Sequence, residues 1–369
     1  MNNLKAAFRS LCKSPGFTLI AVLILALGIG ANTAIFSAVH AVLLRPLPWA
    51  GSEQLVSVRA MVQRDSWERR AFSMPDFRDY RAQTGASFAS FAGFAQTSYN
   101  LSGTGEAERI GGETVSHNYF PTLGVTPALG RSFTAEEDSI PDKFPVVVLS
   151  DSLWRDRFAA DPAIIGRTIR LSETVYTVVG VMPPGFTGLS GNSRLWVPMA
   201  MNGARLWENR GNRWHEVVAR LKPGVTADQA RAELAAVGRT LATAHPATNT
   251  NYGADLAPLR EELFGNLRQP LLVLLGAVGF VLLITCANVA NLLLVRLAGR
   301  RRELAIRAAL GAGRAVLARL LLAESLVLSL LGGGLALLLA AWLTTGLAQL
   351  NPVRLPGYVS IGTNWPVFL

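Results

Sequence analysis

The sequence predicts a membrane α-helical protein with a large α+β domain inserted between its first and second spans. Three observations carry this expectation. Uncharged, mostly apolar runs occupy residues 17–44, 270–295 and 325–350, a long stretch of mixed composition separates the first two, and basic residues crowd beside the runs. A hydrocarbon core of about 30 Å needs roughly 20 helical residues, and each run meets that length. A buried helix of a soluble protein would be shorter and would show a polar face. The first run is also too long for the apolar core of a cleaved leader, and no A-x-A-like site follows it.

Composition agrees with a mixture of lipid-facing and water-facing parts, since the 369 residues are 50% hydrophobic with a mean hydropathy of +0.30. The net charge of +10 would suit a nucleic-acid partner, but its distribution excludes that. Residues 46–268 hold 23 basic and 23 acidic residues, whereas the membrane-proximal segments set 12 basic residues against Glu303 and Glu324 alone. Short loops rich in Lys and Arg stay in the cytoplasm. Lys5, Arg9 and Lys13 before the first span, and Arg296, Arg300, Arg301, Arg302, Arg307, Arg314 and Arg319 around the second connection, therefore place the N-terminus and that loop inside. The inserted domain is then outside, in a bacterium the periplasm or cell surface. Its lack of cysteine excludes a disulfide framework, because Cys12 and Cys286 both lie elsewhere.

In chain order, residues 1–16 read as an amphipathic helix on the inner leaflet, with Leu4, Phe8 and Leu11 on one side and Lys5, Arg9 and Lys13 on another. Ser14, Pro15 and Gly16 are expected to break it. The first span, 17–44, contains Gly28, Gly30 and Asn32, which favour close helix contact, with Asn32 as an interhelical hydrogen-bond donor. Within the inserted domain, 45–268, residues 145–149 read as a strand, 151–159 as a helix capped by Asp151, and 168–171 with 175–181 as paired strands. Residues 214–221 alternate as a strand, and a helix follows over 227–244 with Thr226 at its cap. The domain is large enough for its own core and for two lobes. The second span is placed at 269–296, an inside loop at 297–319 and the third span at 320–350, where Gly332, Gly333 and Gly334 permit tight packing. Glu324 is expected to pair with Arg319. Residues 351–369 return outside, and their apolar ending reads as the start of a further segment that has been cut off, making the chain a fragment.

The chemistry of catalysis is missing from the motifs. No P-loop, HExxH, paired CxxC or GxSxG occurs, and His40, His117, His215 and His245 lack ligand-like spacing. Glu136, Glu137 and Asp138 cluster on an expected surface loop, where solvation accounts for them. No catalytic residue, metal ligand or cofactor-binding residue is assigned.

The order of segments, with the local sequences Gly28-Ile-Gly-Ala-Asn-Thr-Ala-Ile-Phe-Ser, Asn118-Tyr-Phe-Pro-Thr-Leu-Gly-Val, Gly180-Val-Met-Pro-Pro-Gly-Phe and Arg302-Glu-Leu-Ala-Ile-Arg-Ala-Ala-Leu-Gly-Ala, resembles the MacB/FtsX family of ABC transporter permeases, in particular its duplicated acidobacterial-type members. The resemblance covers essentially the whole chain. It implies a four-span unit in the bacterial inner membrane, of which three spans are present, and a second permease unit as homodimer partner or duplicated half. It further implies a separate ABC ATPase, which would bind ATP and Mg, and a periplasmic adaptor as a further partner. By the same resemblance Arg302, Glu303, Ile306, Arg307, Leu310 and Gly311 would contact that ATPase, with anchoring of the loop to anionic lipid as the competing explanation. The function implied is mechanical transmission from ATP hydrolysis to the periplasmic domain, in export or efflux. A receptor sensing a ligand outside is the alternative, and an enzyme of the outer domain is disfavoured by the missing motifs.

Overall fold

The computed structural model describes residues 8–9, 11–64, 66–103, 106–301, 305–306, 309 and 314–350. Its described residues divide into a helical unit, within 8–45 and 266–350, and an inserted unit, within 46–265.

The chain enters helix α1 (Pro15–Val39) directly from a short helical stretch containing Leu11. Pro15 and Gly16 were expected to break the chain, yet they form the first turn, where the missing proline N–H has no intrahelical partner to lose. The interruption falls at Lys13 and at Ser14, the first of the three residues expected to make it. A π-helical turn, His40–Leu44, completes the span.

The inserted unit is one mixed sheet flanked by helices. Its elements are β1 (Leu55–Gln63), β2 (Trp67–Arg70), α2 (Met74–Gln83), β3 (Phe88–Ser102), β4 (Glu108–Val115), β5 (Leu129–Gly130), β6 (Val146–Leu149) and α3 (Asp151–Phe158). There follow β7 (Thr168–Leu171), β8 (Thr174–Val181), β9 (Leu195–Pro198), β10 (Glu216–Leu221), α4 (Ala227–Ala244) and β11 (Tyr252–Pro258). The strand order is β11-β1-β10-β3-β4-β9-β6-β8-β5, with β2 on β1 and β7 bridging β3 and β8. Most pairs are antiparallel, while β4 with β9 and β6 with β8 are parallel. Two apolar clusters fill it, one under α2 and α4 around Phe72, Phe77, Phe91 and Leu234, the other around Leu149, Leu153, Val178 and Leu195. The two lobes therefore share one continuous sheet.

Several local choices follow from the residues. Helix α4 buries Ala230, Leu234, Val237, Gly238 and Leu241 along one stripe, and it starts with a reciprocal capping box between Thr226 and Gln229. Helix α3 is capped by Ser150, which accepts from the Leu153 N–H at 3.1 Å, and not by Asp151 as expected. Asp151 lies inside the first turn, where its charge suits the helix dipole and holds Arg155 at 2.8 Å. The β7–β8 hairpin turns through Ser172 in a left-handed conformation, φ +57°.

The buried carboxylates Asp76, Glu113, Glu137 and Asp138 are all paired. Asp76, 2% exposed, accepts from Arg210 at 2.6 Å and Asn249 at 2.9 Å and also pairs with Arg213, tying α2 to the segment before β10 and to the short helix Pro246–Asn249. Burial pushes its carboxyl up, but Arg213, Asn249 and Arg210 together hold it below the usual 3.8. A depressed carboxylate stabilises the fold above its unfolded pKa and loses that contribution as pH falls below it. Asp76→Ala takes its carboxylate from Arg213, 8% exposed, while Arg210 keeps Asp79 at 2.7 Å, and is expected to destabilise the domain by about 3 kcal/mol, read as a lowered Tm of the full chain. Glu113 is fully buried and accepts from Tyr119 Oη at 3.0 Å, Trp196 Nε1 at 2.7 Å and the Ser190 N–H at 2.7 Å, and so holds the loop between β8 and β9. Burial raises its carboxyl despite these donors. Glu137 and Asp138, expected on a solvated surface, are both 8% exposed: Arg131 holds Glu137 at 2.6 Å, and Asp138 accepts from the backbone of His117 and Ala200. Only Glu136 of that cluster is exposed.

Helix α5 (Leu259–Gly299) begins well before the apolar run and continues through Pro270. Its first turns bury Leu259 and Phe264 and pair Glu262 with Arg59 at 3.0 Å and with Arg69. Helix α6 (Arg314–Leu350) runs unbroken through its three glycines. The spans 15–44, 259–299 and 322–346 are each long and apolar enough to cross a membrane.

Candidate functional site

Small residues decide how the spans meet. The buried positions of α1 are Ala21, Ala26, Gly28, Gly30, Ala34, Ser37 and Val39, while Leu19, Ile20, Leu23, Leu27 and Phe36 stay exposed. Without a hydrophobic difference between lipid and side chain, association rests on close backbone approach and hydrogen bonds. Gly30 lies against α6, where a Cβ would stand 3.2 Å from the Ala336 carbonyl oxygen and 3.3 Å from Leu339. Gly332 of α6 faces Leu25 of α1, at 2.7 Å from an added Cβ. Gly28 faces α5, where an added Cβ would overlap Thr285, itself 6% exposed. Asn32 Nδ2 donates to Val278 O of α5 at 2.8 Å and to Gly28 O at 3.0 Å. Gly333 and Gly334, expected to pack with Gly332, meet nothing within 4 Å among the described residues. Consecutive helical residues point about 100° apart, so one glycine of the three can face α1.

At the opposite end of α1 from His40 the helices are held by charge. Glu324 on α6, 4% exposed, binds Arg300 at 2.8 and 3.1 Å through its two carboxylate oxygens, and Arg296 of α5 lies 3.9 Å away. Arg296 in turn sits over the ring of Phe17 on α1, 4.5 Å from its centre. Leu11, Ala21 and Leu328 pack beside them, with Phe17, Leu292 and Leu293. The expected partner Arg319 is exposed. It is five residues from Glu324 on the same helix, about 140° around the axis, and so cannot share its face. Arg300 and Arg296 are four residues apart on one face, which is how both reach one carboxylate. A long-range pair of this kind leaves no signal in local spacing; the isolated acid in an apolar run was the only hint.

This cluster sits at the root of the arginine-rich segment. Of the residues implied for ATPase contact, Ile306 is helical and 55% exposed, whereas Arg302, Glu303, Arg307, Leu310 and Gly311 lie outside the described residues. No group of three His, Cys, Asp or Glu placed to hold a metal occurs among the described residues. His215, buried and packed against Phe72, Phe77 and Trp214, is an interior ring.

Comparisons with known proteins agree with this architecture. The MacB-like periplasmic core domain family matches residues 18–237, and the FtsX-like permease C-terminal family matches residues 275–369. The macrolide export ATP-binding/permease protein MacB of Salmonella paratyphi A is 27% identical over 248 residues, 66% of this chain and 36% of that protein. Its counterpart from Chromobacterium violaceum is 28% identical over 228 residues, 61% of this chain and 34% of that protein. The chain thus spans about a third of the length of these relatives. Among solved structures, the periplasmic region of MacB from Actinobacillus actinomycetemcomitans aligns with a TM-score of 0.43 at 14% identity, over 64% of this chain and 96% of that one. The extracellular domain of the noncanonic ABC-type transporter YknZ from Gram-positive bacteria aligns at 0.41 and 16% identity, over 55% and 99%. Three apolar helices, a mixed-sheet domain between the first two, and family matches over more than half of its length establish that this chain belongs to the MacB/FtsX-like permeases, membrane proteins with an extracytoplasmic domain.

Proposed function

We propose that the chain is the transmembrane subunit of an ABC-type assembly in a bacterial inner membrane, relaying motion from a separate ATPase to its periplasmic domain. The observation that carries this is the buried Glu324 cluster, which joins α5 and α6 where they flank the arginine-rich segment and reaches α1 through Arg296 and Phe17. A displacement of that segment would meet a stiff joint, and the small-residue contacts around Gly28, Gly30 and Gly332 would carry it along the bundle. ATP and Mg would be bound by the partner, since this chain has no P-loop. The excess of positive charge around the segment supports a cytoplasmic placement, with the inserted domain in the periplasm. The MacB relatives are macrolide exporters by name, and export or efflux is the corresponding direction here. A second permease unit and a periplasmic adaptor would complete the assembly.

The contact to the ATPase is tested by reversing charge at Arg302 and Arg307 in the full chain, reconstituted with its ATPase. Binding and stimulated ATP hydrolysis should both fall at least about tenfold, because two charge-assisted contacts become repulsive. Unchanged binding and stimulation would remove the support for these residues as the docking surface. An equal loss of association with anionic vesicles lacking the ATPase would instead favour the lipid-anchor role.

A further inference from the structure

The sheet of the inserted domain ends at β11, and its outer edge is unpaired among the described residues. The direction of its backbone groups follows from two bonds. Gln63 N–H donates to Asn251 O at 2.8 Å, so Asn251 and every second residue after it face β1. Tyr252, Ala254 and Leu256 therefore present N–H and C=O outward. Arg231 Nη2 donates to Leu256 O at 3.1 Å, which agrees with that assignment and covers the far end of the edge. The outward backbone groups of Tyr252 and Ala254 have no partner among the described residues.

A groove of 590 Å³ runs between this edge and the flank of α4. Ala235, Gly238 and Ala242 form its helix side, and Met61 and Trp67 close its other end. Gly238 adds no side chain to the groove; a Cβ there would lie 3.0 Å from Tyr80 Oη and in ordinary contact, 3.5 Å, with the Gly253 Cα. Trp67 is 53% exposed and covers Gly253, at 3.7 Å from an added Cβ. At the rim, Arg231 is matched by Asp228 at 2.8 Å and Asp255 at 3.1 Å. Arg239 is exposed, and its guanidinium makes no hydrogen bond or ion pair among the described residues. The groove thus combines free strand-edge hydrogen-bonding groups, an apolar floor made of small residues and one uncompensated positive charge.

We propose that this edge is a docking site for an extended, acidic segment of a second polypeptide, added as a further strand beside β11 with a carboxylate at Arg239. An acyl chain would fill the same space but would desolvate the Tyr252 and Ala254 amides and carbonyls without pairing them, whereas a strand pairs them. Small side chains at Ala235 and Gly238 leave room for alternate residues of the incoming segment, which supplies selectivity. The inference does not rest on coupling to an ATPase, and its test needs no nucleotide.

The full chain in lipid nanodiscs is titrated, with fluorescence anisotropy, against a short fluorescein-labelled peptide alternating valine with glutamate. Control peptides are N-methylated on alternate backbone nitrogens or carry lysine for glutamate. Saturable binding of the acidic peptide is expected, weakened about tenfold by N-methylation and by Ala254→Pro, which removes an outward N–H that β1 does not use. Arg239→Glu should reverse the preference to the lysine peptide, and Ala235→Trp should block both by filling the groove. Ala235→Trp also preserves the test if Ala254→Pro fails to fold. Absence of saturable binding, or affinities indifferent to N-methylation, to Arg239→Glu and to Ala235→Trp, would overturn the proposal, as would equal binding of a fluorescent fatty acid competed by the peptide through the same residues.

Discussion

Glu324→Ala is expected to destabilise the helical unit by about 3 to 5 kcal/mol, the range for removing one partner of a buried ion pair, and to lower the Tm of the chain in nanodiscs accordingly. The reason is the environment left behind. Arg300 and Arg296, whose side chains are 23% and 12% exposed, would keep their charge at the end of apolar helices after losing the buried Glu324 carboxylate that both face. Glu324→Gln retains the shape and an acceptor, and should recover part of the loss. The double exchange Glu324→Arg with Arg300→Glu restores opposite charges across α5 and α6 and should recover more than either single change, which a double-mutant cycle would show as coupling. If the joint also transmits motion, the single variants should lose ATPase stimulation out of proportion to any loss of ATPase binding. Full stimulation in Glu324→Ala would remove this cluster from the transmission path.

The second large effect concerns acid. His215 is fully buried among Phe72, Phe77 and Trp214, and burial pushes its imidazole down to about 3, with the nearby Asp76 carboxylate only partly opposing this. The unfolded chain takes up a proton near the ordinary 6.5 that the folded domain refuses, so stability is full above that pH. It declines as pH falls from 6.5 towards 3, by an amount on the order of 5 kcal/mol over the whole window. Asp76, with its depressed carboxyl, adds a further loss only below about its ordinary 3.8, so the two are separable by pH. His215→Phe should flatten the decline between pH 6.5 and 4 in urea titrations of the full chain. An unchanged pH profile in that variant would show that another group controls the acid transition.

Much of this architecture is legible in the residues because it depends on local or additive properties. The hairpin of β7 and β8 and the helix α4 with its Thr226 cap come from alternation, turn chemistry and capping within a dozen residues. Where neighbours compete for one role, local reading loses resolution: Ser150 and Asp151 are both good caps, and only the backbone angles choose Ser150. Glu137 and Asp138 look like surface charge until Arg131 and the backbone of His117 and Ala200 close around them. Asn32 could be assigned to helix contact from its depth in an apolar span, but its acceptor, Val278 O, lies 246 positions away.

The sequence alone determined that the chain has three lipid-crossing helices, a charge-balanced domain between the first two and an arginine-rich segment between the last two, because hydropathy and charge sum along the chain without reference to contacts. Tertiary structure alone decided that Glu324 answers to Arg300 and Arg296, that one glycine of three touches α1, and that the edge of β11 is left open beside α4. Each of these depends on which faces of distant elements meet, and a burial or pairing energy exists only once they do.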